Sequence, residues 1–227
     1  MITIAARRSD AGLLAMAGFL AIAYFLAPAL LGPSRVEDFP DAFILYWTSG
    51  EPDFPPELQP IVDHQFRYHL LRLTITLLLL GVLLALAARL PRRRLPLGAL
   101  ALVAAVLLIA NVQGAASPFG TLLPNLASDP RMPAVLDEIR EQLTNGPASP
   151  ALDVMLGEYT RWHVLKALLI GLLSIVLIGL SVTAWPRRRW ASLLTAAVAV
   201  AALVVVAANV STVASPDAPF LMLIDGG

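Results

Sequence analysis

The sequence predicts an all-α integral membrane protein with five transmembrane helices, in which spans two and three and spans four and five form two parallel-repeat helical hairpins. Of 227 residues, 58% are hydrophobic and 14% are charged, whereas a soluble domain is about half apolar and a quarter charged. The apolar residues are gathered in five long segments, and many basic residues cluster at three places beside them. This composition excludes a disordered chain and a nucleic-acid-binding protein. The sequence contains no cysteine, which excludes disulfides and thiolate chemistry.

Each of the five segments is long and apolar enough to cross a hydrocarbon core of about 30 Å, which takes about 20 helical residues. None alternates with the period of two residues that is typical of a strand, so a helical bundle is predicted. The first segment is interpreted as a retained helix and not as a signal peptide, because its apolar run of about 21 residues is too long and Pro28 disfavours cleavage. The segments are residues 11–31, 70–90, 96–115, 165–185 and 190–213.

Basic residues at the ends of the spans predict the orientation in the membrane. Nine of the sixteen Lys and Arg residues lie near the N-terminus and around the two short turns, with one acidic neighbour, Asp10. Because basic residues are enriched on the cytoplasmic side, the N-terminus is expected in the cytoplasm and the C-terminus outside. The many Arg, Ala, Leu and Pro residues indicate a GC-rich bacterial genome and hence the bacterial inner membrane. The nine basic residues are Arg7, Arg8, Arg89, Arg92, Arg93, Arg94, Arg187, Arg188 and Arg189.

The predicted topology divides the chain into six parts. Three are transmembrane units, one single helix and two hairpins, and three are outer segments. In chain order they are the N-terminal helix (1–31), an outer loop (32–66), the first hairpin (67–115), a helical outer loop (116–160), the second hairpin (161–213) and an outer tail (214–227).

The two predicted hairpins resemble each other in sequence, which indicates an internal repeat. Residues 67–72 (RYHLLR) match residues 161–166 (RWHVLK), and an apolar span and a Pro-Arg-Arg-Arg turn follow each stretch. The second span of each hairpin contains Ala-Asn-Val near its end and is followed by Ala-Ser-Pro. The offset between the copies is 94 residues at the first motif and 98 at the last. Because both copies cross the membrane in the same direction, their pseudo-two-fold axis is expected along the membrane normal.

Span one lacks a counterpart in this repeat and is expected to pack against the four-helix unit. Alanines spaced four residues apart lie on one helix face and allow two backbones to approach closely. Such pairs predict packing faces on spans one and five. They are Ala17 with Ala21, Ala23 with Ala27, and Ala197 with Ala201.

The outer segments predict a small acidic helical cap, with a core too small to fold alone. Residues 41–48 are apolar and aromatic, which indicates a short helix on the membrane or over the bundle, or alternatively a surface for a partner. Residues 133–143 begin with proline and predict a second helix. Helices beginning near Pro60 and Pro150 are expected to run into spans two and four. The apolar run 220–224 is expected to pack back on the loops.

Six polar residues of the two repeats form the candidate site. Counting helical rise from the arginine turns puts all six near the outer membrane interface, where they could form one ring. This ring is a cationic, hydrogen-bonding pocket suited to a phosphate or carboxylate. The alternative is anchoring, in which the cations extend to the interface beside Tyr68 and Trp162 of an aromatic belt. The six residues are His69, Arg72, Asn111, His163, Lys166 and Asn209.

The two repeated histidines raise a second possibility, a bound cofactor. His69 and His163 facing each other could ligate a haem, or copper or zinc together with Asp63 or Glu158. The sequence has no H-x-x-E or H-E-x-x-H spacing, and a cation one turn from each histidine would repel a metal ion. No metal is therefore assigned, and the cofactor is left unknown.

The function indicated by these residues is a non-catalytic integral membrane subunit. It would bind a partner complex, or an anionic lipid or ligand, at its outer face, with the bilayer as its other partner and no nucleic acid. The chain lacks G-x-S-x-G, P-loop and G-x-G-x-x-G motifs. Two alternatives stay open: a small membrane enzyme or redox protein using His69 and His163, and a carrier for an anionic small molecule. No acidic residue lies within a predicted span, which disfavours an ordinary proton- or sodium-coupled carrier.

Overall fold

The structure, a computed structural model, describes residues 2–186 and 188–226, with side chains from residue 9 onward. The described chain is all-helical, with 82% of residues in helices and no strands. Arg187 and the side chains of Arg7 and Arg8, which the orientation prediction used, lie outside the described residues.

The described residues form eight α-helices, which we number in chain order. Five of them, α1, α3, α4, α6 and α7, lie in segments long and apolar enough to cross a membrane, with mean hydropathies from 2.1 to 2.5. They indicate a multi-pass membrane protein, as the sequence predicts. The helices are α1 (Ile2–Leu26), α2 (Phe39–Ser49), α3 (Gln59–Arg89), α4 (Arg94–Ala116), α5 (Pro133–Asn145), α6 (Pro150–Ala184), α7 (Arg189–Ala214) and α8 (Asp217–Ile224).

Helices α3 and α6 extend well beyond their apolar stretches. They contain 31 and 35 residues, or about 46 and 52 Å at the helical rise, against about 30 Å for a hydrocarbon core. Each has proline in its first turn, where a missing N–H is harmless. Ser149 caps α6 by accepting a hydrogen bond from the backbone N–H of Leu152. The predicted extensions near Pro60 and Pro150 are confirmed, and both helices run unbroken from the spans into the cap.

Two helix pairs make the most extensive contacts, α3 with α4 and α6 with α7. Helix α1 packs along α3 through Leu20 and Tyr24, which meet Ile75. A smaller contact joins α4 to α6. We call the end of the bundle with the Arg92 and Arg188 turns the arginine side, and the opposite end the cap side.

The alanine prediction is only partly correct. Ala17, Ala23 and Ala27 pack against neighbouring helices, whereas Ala21 is exposed. On α7, Ala197 and Ala201 are also exposed, and the buried alanine is Ala199, which is 1% exposed. An alanine-rich helix carries small residues on several faces, so their spacing does not reveal which face meets a neighbour.

The cap contains the largest buried hydrophobic cluster in the part of the chain that the structure describes. Helix α2 contributes Phe39, Phe43 and Tyr46, which pack around Phe119 from the loop after α4. From α8, Phe220 joins the same cluster and is 0% exposed. The predicted helices α2 and α5 and the packed tail are confirmed. The aromatic residues of this core come from segments far apart in the chain, so the sequence alone does not show that they form one cluster.

Ion pairs at the surface of this cap join its segments. Arg131 reaches Asp41 at 2.7 Å and Asp129 at 2.8 Å, and so ties the loop before α5 to α2. Hydrogen bonding from Arg131 lowers the pKa of Asp129 to about 2. Inside the cap, Tyr46 donates a hydrogen bond to the carbonyl of Ala151 at 3.3 Å. Burial, with Asp53 nearby, raises the pKa of Tyr46 to about 12.

Candidate functional site

His69 and Asn111 form a hydrogen-bonded pair between α3 and α4. The Asn111 amide nitrogen donates to the Leu107 carbonyl at 2.7 Å. A carbonyl can only accept, so this bond fixes the amide orientation and leaves the Asn111 oxygen 3.3 Å from Nδ1 of His69. That oxygen is also only an acceptor, so Nδ1 carries the proton. The unprotonated Nε2 of a neutral His69 is then available as an acceptor.

His163 and Asn209 repeat this arrangement between α6 and α7. The Asn209 amide nitrogen donates to the Val205 carbonyl at 2.7 Å, and its oxygen lies 2.7 Å from Nδ1 of His163. The same reasoning leaves Nε2 of a neutral His163 as an acceptor. The structure therefore joins four of the six predicted site residues into two equivalent pairs.

The cations one turn along lie over aromatic rings. The guanidinium carbon of Arg72 lies 3.8 Å from the Tyr24 ring centroid and 5.0 Å from that of Tyr68, and Arg72 also donates to the Tyr68 hydroxyl. Nζ of Lys166 lies 4.6 Å from the Trp162 ring centroid. Neither cation forms an ion pair with a carboxylate of the described residues.

Arg72 faces an open polar cavity of about 470 Å³, which we call the Arg72 cavity. It lies at the cap side of the first helix pair and also contains the buried His64, which is 8% exposed. None of the described residues lining it is acidic. The lining residues are Ser34, Val36, His64, Gln65, Tyr68, His69, Arg72 and Thr121.

His163 lines a different cavity of about 420 Å³. Trp162, Met222 and Leu223 make its walls largely apolar, and α8 supplies the last two. Thr121, in the loop after α4, lines both cavities. His69 and His163 therefore line separate cavities, with that loop at the border of both, and the single six-residue ring stays a prediction.

The carboxylates considered as metal ligands already have partners. Asp63 accepts a hydrogen bond from Gln59 at 2.7 Å. One carboxylate oxygen of Glu158 lies 2.9 Å from the Ser117 hydroxyl, and the other pairs with Arg161 at 2.6 Å. Within the described ranges, no group of three His, Asp or Glu side chains could hold a metal ion.

Besides lining residues such as Ser34, sequence reasoning missed three residues that contact the first His–Asn pair or join the helix pairs. Tyr24 of α1 covers Arg72 and accepts from the Asn111 amide at 3.4 Å. Gly114 lies against His69, where an added Cβ would be 2.4 Å from the ring. Gln113 donates to the Trp162 carbonyl at 3.2 Å and so links the helix pairs. Gly114, one turn after Asn111, was the available signal, because a small residue there leaves room for a neighbouring ring.

Comparison of the chain with protein-family models, with curated proteins and with solved structures finds no match in any of the three.

Proposed function

We propose that the chain is a non-catalytic integral membrane subunit that binds an anionic group in the Arg72 cavity. The group would belong to a lipid headgroup, a small ligand or a partner complex. The observation that supports this most strongly is Arg72, whose Nε is buried and has no hydrogen-bond partner among the described residues. A cation with an unused donor, beside a cavity with no acidic residue in its described lining, is suited to an anion.

The energetics of Arg72 favour an anion. Removing a charged group from water costs several kcal/mol in a protein. A cation–π interaction with one aromatic ring stabilises the cation by about 0.5–2 kcal/mol. Tyr24 and Tyr68 therefore offset part of this cost. A phosphate or carboxylate would offset more, because two of its oxygens can accept parallel hydrogen bonds from one guanidinium.

The neutral groups in the cavity narrow the class of anion. Nε2 of a neutral His69 is free to accept a hydrogen bond from a ligand, since Asn111 holds the proton on Nδ1. Ser34 and Gln65 add donors and acceptors that carry no charge. This set favours an anion that also bears a hydroxyl group, such as singly protonated phosphate or a glycerol phosphate headgroup.

Titration of the purified chain in a mild neutral detergent tests this proposal. The probes are inorganic phosphate and short-chain phosphatidylglycerol, with short-chain phosphatidylcholine as the uncharged comparison. Arg72→Gln removes a charge-assisted interaction of about 1.5–3 kcal/mol, and should weaken binding about 10- to 150-fold. Arg67→Gln is the control, because Arg67 is exposed on the same helix. Equal binding by both variants, or no binding by the wild-type chain, would overturn the proposal.

We also propose that the two helix pairs are a duplicated hairpin in a bacterial inner membrane, with the cap outside the cytoplasm. The basic turns at the arginine side support this orientation, and the matching His–Asn pairs support the duplication. Proteolysis of sealed inverted and right-side-out vesicles tests the orientation. Cleavage of the cap only in inverted vesicles would contradict it.

A second candidate function, a redox protein or enzyme using the histidines, is favoured by one observation. A histidine whose Nδ1–H is held by an oxygen presents Nε2 as a metal ligand, and both histidines have this form. The optical spectrum and metal content of the purified chain test it. A haem band or a stoichiometric metal would support this candidate, and the absence of both would remove its cofactor form.

A further inference from the structure

An apolar groove lies between the two helix pairs within the membrane-spanning region. It has a volume of about 400 Å³ and is formed by α4 and α6, with Leu80 and Leu84 of α3 at one wall. On α6 the lining residues run from Leu169 to Leu180. We call this space the interhelical groove.

The groove is longer than one leaflet of a bilayer. The helical rise gives about 17 Å along α6, from Leu169 to Leu180, and about 21 Å along α4, from Gly98 to Val112. Half of a hydrocarbon core is about 15 Å. Small residues on α4, among them Gly98, Ala101 and Ala105, help to line the space. An extended acyl chain lying along the helices fits this shape.

Lys166 lies at the cap-side end of the groove. It precedes the lining residues Leu169 and Leu173 by three and seven positions, so it shares their helix face. Side chains on a helix tilt toward its N-terminus. The N-terminus of α6 is at the cap side, so the Lys166 side chain tilts toward the headgroups of the cap-side leaflet. Lys166 is partly buried and forms no ion pair with the described carboxylates. An anionic headgroup would complement its charge.

We propose that the interhelical groove holds one acyl chain of an anionic phospholipid from the cap-side leaflet, with its headgroup on Lys166. The lipid fills the space between helix pairs that otherwise meet over a small contact. This site is distinct from the Arg72 cavity, because the two share no lining residue. Binding at one can therefore fail while binding at the other persists.

Lys166 is the only lysine in the chain, which provides a specific probe. Reductive methylation with ¹³C-formaldehyde labels this residue and the terminal amine, and the Lys166 resonance is the one missing from Lys166→Gln. Titration with phosphatidylglycerol in neutral detergent should shift this resonance to saturation. The affinity for phosphatidylcholine of the same chain length, measured from the same resonance, should be at least tenfold lower.

Two matched variants of α4 test the acyl chain. Ala105→Phe fills the groove and should abolish the saturable shift, whereas Ala110→Phe, on the exposed face, should preserve it. Circular dichroism in the far and near ultraviolet, measured on the same samples, reports whether each variant is folded, independently of binding at the Arg72 cavity. The proposal is overturned if both lipids shift Lys166 equally or if Ala105→Phe has no effect. A shift that follows protein concentration instead of lipid would assign the groove to a second copy of the chain and also overturn it.

Discussion

Gly114→Ala tests how closely the first His–Asn pair is packed. A Cβ at this position would lie 2.4 Å from three atoms of the His69 ring, about 1 Å inside ordinary contact. The ring has to move away, and its hydrogen bond to Asn111 is lost or weakened. Overpacking of this kind costs about 1–3 kcal/mol.

Gly81→Ala is the matched control for this substitution. Gly81 lies within α3, and an added Cβ there would have no heavy atom of the described residues within 4 Å, apart from its chain neighbours and its own helix backbone. Both substitutions replace a helical glycine by alanine, which by itself stabilises a helix by about 0.5–1 kcal/mol. The helix-propensity gain cancels when the two variants are compared, so their difference measures the contact with His69.

The assay is thermal unfolding in detergent, followed by circular dichroism. A difference of about 1–3 kcal/mol corresponds to roughly 2–12 °C for a chain of this size. We expect Gly114→Ala to melt below Gly81→Ala by that margin and to bind phosphate more weakly. Equal melting temperatures and equal phosphate affinity would refute the close packing of His69 on α4.

Three further predictions concern the cap. Arg131 lowers the pKa of Asp129 from 3.8 to about 2. This pair should therefore stabilise the cap above pH 3.8, and the stabilisation should be lost as the pH falls toward 2. In Arg131→Gln, acid unfolding followed by near-ultraviolet circular dichroism should lack this contribution. The pKa of Tyr46 is raised from 10.0 to about 12, so stability present below pH 10 should be lost as the pH rises toward 12, and the alkaline transition of Tyr46→Phe should lack this contribution. Phe43→Ala should destabilise the cap by about 3–5 kcal/mol in denaturant unfolding, whereas Leu45→Ala, at a side chain 50% exposed on the same helix, should change stability by less than about 0.5 kcal/mol.

Local signals in the sequence predict most helices correctly. Proline at the starts of α3, α5 and α6 and long apolar runs in the spans are features of single segments. The short run 220–224 likewise predicts the packing of α8. Such signals depend on residues close together in the chain, so they can be interpreted without knowing the fold.

The candidate site depends on neighbours that local patterns do not reveal. Helical spacing puts His69 and Arg72 on one face of α3, but it cannot tell which helix meets that face. Asn111 and Tyr24 meet it from α4 and α1. The loop containing Thr121 lies at the border of both cavities, and no sequence pattern indicated that position.

The two His–Asn pairs share their contacts but not their surroundings. A buried amide and imidazole are stable only when their polar atoms are paired, so both pairs satisfy a structural requirement. The first pair borders a polar cavity with Arg72, and the second borders an apolar cavity covered by α8. Of the two His–Asn pairs, only the first therefore borders the cavity that we propose to bind an anion.

We propose that the cap side of this bundle binds an anionic group through Arg72. Native mass spectrometry of the full chain, purified in mild detergent from its own membrane, tests it most directly. The wild-type chain should carry one more anionic lipid, ligand or partner than Arg72→Gln carries, whereas Arg67→Gln should carry the same number as the wild type. A bare particle of the same mass as the chain, with nothing bound to the wild type, would contradict the claim.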